Sequence, residues 1–179
     1  LDLHAGSNLI SFYAIPENYS VENIFSTLEV ISVISESASC VFNDQVGWLV
    51  GSECDKEIEP YRGYWVKVSE AVSLCIEDGI PTDSAIEYSL HTGANLISFP
   101  FEGYVEISPS LPDEIEGSVY SIIGEGVAAI NQTPWVASPW QGSLTALNGG
   151  KGYWMMTTED ILFSFDVSNM SRIKFDNEV

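Results

Sequence analysis

The sequence predicts a mainly β protein built from two tandem, homologous small units, each a β-barrel or β-sandwich with at most one short helix. Three observations carry that expectation. The segment HAGSNLISFY at residues 4–13 returns as HTGANLISFP at residues 91–100. Between and after these copies run short stretches rich in β-branched and aromatic residues, separated by Gly, Asn, Asp or Pro. The chain is 45% hydrophobic and 12% aromatic, enough for packed cores, yet it holds no run of about 18 apolar residues.

The repeat is ordered along the chain. EVISVISE (29–36) is echoed by SVYSIIGE (118–125), and RGYWVKV (62–68) by KGYWMMT (151–157). Trp48 aligns with Trp135, which leaves Trp140 without a counterpart. Such order implies duplication of one unit. The expected organisation is a first unit over 1–80, a second over 86–168, and a tail or last strand over 169–179, where Ile173 and Phe175 alternate with Arg172 and Lys174. The connection DGIPTDSA (78–85) is short and turn-prone, so the units are expected to touch.

In order along the first unit, Gly6 suits a turn of positive φ, and Asn8 can bond the local backbone there. In NLISFY, Ile10 and Phe12 then share one face and Ser11 takes the other. Gly93, Asn95, Ile97, Phe99 and Ser98 repeat the arrangement. SVENIFSTLE (20–29) reads as the one helix, with Ser20 as N-cap and apolar residues at Val21, Ile24, Phe25 and Leu28. SPSLPDEIE (108–116) carries two prolines and is expected to give only a turn or two. Gly63, Tyr64 and Trp65 open a strand whose Tyr64, Val66 and Val68 face the core; a hairpin then returns with Val72, Leu74 and Ile76 inward and Cys75 outward. Gly152, Tyr153 and Trp154 open its counterpart. His4 and His91 stand at equivalent places, and a residue kept in both copies more often serves a fold than a reaction.

Twenty-six acids against six bases give a formal charge of −20, which disfavours nucleic acid and anionic membranes as partners. The acids are scattered among apolar residues, so the chain is not an acidic disordered tail. With two histidines 87 residues apart and no CxxC, no transition-metal site is expected. Glu53, Asp55, Glu57 and Glu59 alternate and would share a strand face able to attract Ca²⁺, although a solvated edge is the plainer reading. NGGKGYW lacks the Ser or Thr and the upstream Gly of a phosphate loop. No nucleophile elbow is present, so no catalytic residue, enzyme activity or cofactor is assigned. Trp140, with Trp48 and Trp135, can stack on sugar rings or fill a protein interface. Cys40 and Cys54 flank a hairpin and can pair, leaving Cys75; free buried thiols are the alternative.

The pair GSNLISFY…RGYW and GANLISFP…KGYW resembles a repeat of large secreted and cell-surface proteins of bacteria and archaea. There Gly-Trp-Asn-Leu-Ile-Ser opens a unit and Gly-Lys-Gly-Tyr-Trp comes near its end. Ser7 and Ala94 stand here in place of that Trp. The resemblance implies an extracellular or cell-surface accessory module beside other domains, with no catalytic residue to carry over. The expected role is structural or adhesive, with a glycan, another surface protein or neighbouring domains of a longer chain as partner. A carbohydrate-binding module and a phage or virion tail component are the alternatives.

Overall fold

The computed structural model describes residues 1–49, 57–132 and 139–166. Among the described residues strand accounts for 49% and helix for 8%, which fixes the class as mainly β. In the first half the strands are β1 (Asp2–Leu3), β2 (Gly6–Ser11), β3 (Ala14–Ile15), β4 (Val30–Ile34), β5 (Ser39–Asn43), β6 (Gly47–Leu49), β7 (Gly63–Val68), β8 (Val72–Ser73) and β9 (Ile80–Pro81). The second half holds β10 (Tyr88–Leu90), β11 (Gly93–Ser98), β12 (Tyr104–Glu106), β13 (Val119–Gly124), β14 (Val127–Asn131), β15 (Trp140–Gly142), β16 (Ala146–Asn148), β17 (Gly152–Thr157) and β18 (Ile161–Phe163).

Each half is organised on one five-stranded antiparallel sheet. The orders are β2-β7-β4-β5-β6 and β11-β17-β13-β14-β15, with two-stranded sheets beside them. Registers correspond: Leu9 pairs with Trp65, as Leu96 pairs with Trp154. The ladder between β4 and β7 shifts at Val30–Ser32, and that between β13 and β17 at Val119–Ser121. The bulged Ile31 and Tyr120 are both left exposed.

No closed barrel forms among the described residues; each half is arranged in several sheets. Among the described residues each main sheet stays open, with β2 and β6 as edges of one and β11 and β15 as edges of the other. The short flanking strands pair among themselves and do not close either sheet. The expectation of at most one helix per unit also needs correction. The first half has α1 (Val21–Ile24), but the second has α2 (Ile107–Ser110) and α3 (Asp113–Glu116). Pro112 forces Leu111 into extended geometry, ψ 137°, and so splits the segment into two turns. The helix expected over 20–29 ends early, because Phe25 leaves helical geometry and Leu28 N–H bonds back to the Phe25 carbonyl in a tighter turn. Ser20 caps α1, accepting from Asn23 N–H at 3.2 Å.

Period-two alternation places the cores. Ile10, Phe12, Val33, Tyr64, Val66 and Leu74 lie in one cluster, and Ile97, Phe99, Ile122, Tyr153, Met155 and Phe163 in the other. Cys40 is buried and disulfide-bonded, whereas Cys75 is free and exposed, so free buried thiols describe neither. Cys54 and the tail 169–179 lie outside the described residues. Leu9 and Leu96, at 1% and 2% exposure, are as buried as any core residue yet belong to neither cluster. They lie where the halves meet.

Candidate functional site

A strand at the edge of a sheet presents unpaired N–H and C=O groups that invite another chain. Here β2 and β11 are such edges, and each is covered by the opposite half. Ser11 N–H donates to the Gly150 carbonyl at 3.1 Å, and Ser98 N–H to the Tyr61 carbonyl at 3.2 Å. Ile10 bridges Lys151 as Ile97 bridges Arg62. The hydroxyls of Ser11 and Ser98 donate to the carbonyls of Lys151 and Pro60, each at 2.6 Å.

Each half also sends one carboxylate across. Glu36 follows β4 and Glu125 follows β13, both on hairpin turns. Glu125 accepts from Leu9 N–H at 2.8 Å through one oxygen and meets His4 Nε2 at 2.5 Å through the other. Glu36 does the same with Leu96 N–H at 2.7 Å and His91 Nε2 at 2.7 Å. The contact is therefore reciprocal, in the manner of an isologous interface.

The recurring residues have definite places around this joint. Gly6 and Gly93 take φ of 105° and 106°, open to glycine but strained for other residues. Asn8 accepts from His4 N–H and donates to the His4 carbonyl, both at 2.8 Å; Asn95 makes the same pair with His91. Those bonds fix the turn from which each histidine projects. Gly63 and Gly152 permit the close approach itself. A Cβ on Gly63 would stand 2.8 Å from the Ile97 carbonyl oxygen, and one on Gly152 would stand 2.7 Å from that of Ile10. Buried Tyr64 and Tyr153 accept, through their hydroxyls, the N–H of Glu59 and Asn148 respectively, steadying the segment that leads into each glycine. Trp65 and Trp154 are half-buried beside Leu9 and Leu96 in the ladders.

A cleft of about 340 Å³ opens beside one cross-pair, lined by His4, Asn8, Glu125 and Lys151. Its counterpart, about 160 Å³, is lined by His91, Asn95, Glu36 and Arg62. Both histidine side chains are 60% exposed. The bond to Glu125 and that to the Ala5 carbonyl raise the pKa of His4. The Thr92 carbonyl, then Glu36, raises that of His91. Burial alone would push the Glu125 carboxyl up. The His4 bond, Leu9 N–H and the His4 and Lys151 charges together hold it below its ordinary value. Bonds from Thr92 likewise lower Asp160.

The other candidates do not converge. Glu59 forms an ion pair with Arg62, Glu57 bridges Ser20 through its backbone, and Glu53 and Asp55 lie outside the described residues. Among the described residues no group of three or more His, Cys, Asp or Glu could hold a metal ion. Trp140 is half-buried against the second core, and its Nε1 donates to Glu116 Oε1 at 2.7 Å. Trp48 packs on the first core and meets Phe42 edge to face at 5.5 Å. Trp135 lies outside the described residues. Strand register corrects the alignment of these rings: Trp48 pairs with Phe42 as Trp140 pairs with Asn131, so Trp140 is the counterpart of Trp48. The connection from β14 to β15 is longer than that from β5 to β6, and a linear comparison slips there.

Sequence reasoning passed over Glu36 and Glu125. The signal was present, since each closes a matched segment at the same place. What was missing is that the two carboxylates each reach the opposite half of the chain. No known family, curated protein or solved structure matches the chain.

Proposed function

We propose that the chain is a non-catalytic structural or adhesive module of a larger extracellular or cell-surface protein, made of two homologous units in tandem. Corresponding sheet orders, registers and bulges support the duplication. The observation that carries the functional reading is the exchange of Glu36 and Glu125. The histidines, groups capable of acid–base chemistry, are bonded to the carboxylates, and the carboxylates to strand-edge amides, in duplicate. Built twice and committed to pairing across the joint, this arrangement is suited to holding two sheets together. The acidic surface fits a well-solvated exterior, and neighbouring domains or another surface protein are the partners proposed.

The test compares the intact chain with a Glu36→Gln/Glu125→Gln variant, by thermal unfolding and on a panel of glycoside, ester and peptide substrates. Lower thermal stability of the variant with no turnover by either protein is expected. Turnover by the intact chain that disappears in the variant would contradict the proposal.

A second reading, a carbohydrate-binding module, is supported by Phe42, which is 42% exposed and lies edge to face on Trp48. A glycan-array signal lost on Trp48→Ala would favour it over the first.

A further inference from the structure

The two histidines at the joint face more acceptors than a neutral imidazole can serve. His4 Nδ1 lies 2.8 Å from the Ala5 carbonyl oxygen, while its Nε2 lies 2.5 Å from Glu125 Oε1. His91 Nδ1 lies 2.9 Å from the Thr92 carbonyl oxygen, while its Nε2 lies 2.7 Å from Glu36 Oε1. A carbonyl oxygen only accepts, and so does an ionised carboxylate. Neutral imidazole carries one N–H, so one of its two contacts would set lone pair against lone pair. The doubly protonated ring satisfies both.

We propose that the joint is a proton-operated clamp, in which His4 and His91, each holding a second ring proton, fasten the two halves together and release them as the proton leaves. Each Glu couples the ring to backbone pairing. The carboxylate that binds His4 also accepts from Leu9 N–H, and the one that binds His91 accepts from Leu96 N–H. Loss of the proton therefore loosens both covered strand edges.

The charged neighbours set the range. Around His4 stand Glu125, Asp2 and Lys151, the last opposing the ring's charge. Around His91 stand Glu36, Asp160 and Arg62. Both histidines have folded pKa values above the ordinary 6.5. Their contribution is thus complete below 6.5 and disappears as pH rises through the raised values. On the acid side Glu125 is held below its ordinary 4.5, so its share is present above 4.5 and lost as pH falls through the lower folded value. The clamp is firmest between these limits.

Amide hydrogen exchange of the whole chain tests the proposal, with rates corrected for the intrinsic pH dependence and Val66 and Met155 as core references. Protection of Leu9 and Leu96 is expected to be lost, relative to those references, as pH rises from 6 to 8.5. In the Glu36→Gln/Glu125→Gln variant that dependence should vanish, and histidine NMR on the intact chain should show both rings protonated at both nitrogens at pH 6. Flat protection in the intact chain would overturn the clamp, as would an unchanged pH dependence in the variant. The proposal rests on the joint alone: turnover would sink the module reading and leave the exchange result standing.

Discussion

The inner strands of the two halves correspond closely, and the outer parts do not. β2 and β11 have equal length, as do β7 and β17, and they pair in the same register, with the same crossed carboxylate and the same close-approach glycine. Away from the joint, among the described residues, one helix faces two, and disulfide-bonded Cys40 takes the place of Ala129. Phe42 beside Trp48 answers to Asn131 beside Trp140. The contrast locates the constraint. Each inner strand must fit the other half, so a change on one side needs an answer on the other; an outer strand has only its own half to satisfy.

The largest expected effects are in the cores. Phe12→Ala and Phe99→Ala each empty a fully buried position and should cost about 3–5 kcal/mol in chemical unfolding. If the joint couples the halves, either change lowers the midpoint of one shared transition. Two separate transitions, with only one moved, would break the comparison.

Next come the glycines of the joint. Gly63→Ala and Gly152→Ala put a methyl against opposing backbone, which cannot rotate away, and should each cost about 1–3 kcal/mol. The costs should be similar on the two sides. Gly117, whose added Cβ would meet open space, is the control: Gly117→Ala should be neutral or stabilise by up to about 1 kcal/mol. Smaller than the glycine effect is Glu36→Ala, which leaves Leu96 N–H without its acceptor and should cost about 1 kcal/mol by urea titration. Glu125→Ala should match it through Leu9; a marked inequality would show that the two crossings are not equivalent.

Much of one half was legible in the sequence because its signals are local. Alternation gave the inward faces of β7 and β17, and turn residues marked the strand ends. The closed barrel failed because closure depends on which edges pair, and alternation does not encode pairing partners. The second helix of the second half was hidden behind Pro112, whose effect on Leu111 divides the segment. The joint was written in the sequence as repetition without its meaning. His4, Gly6, Asn8, Leu9 and Gly63 recur with their counterparts, but only tertiary contact shows that the carboxylates of Glu36 and Glu125 reach across to the opposite half. Leu9 illustrates the limit: alternation puts it on the face away from its own core, where sequence logic expects exposure, and the other half buries it.

Scanning calorimetry of the intact chain beside the Gly63→Ala/Gly152→Ala variant tests the central claim, that the recurring residues bind the halves to each other, most directly. The account predicts one cooperative transition for the intact chain and two separated, lower ones for the variant. Two independent transitions in the intact chain, or a variant that melts as the intact chain does, would contradict it.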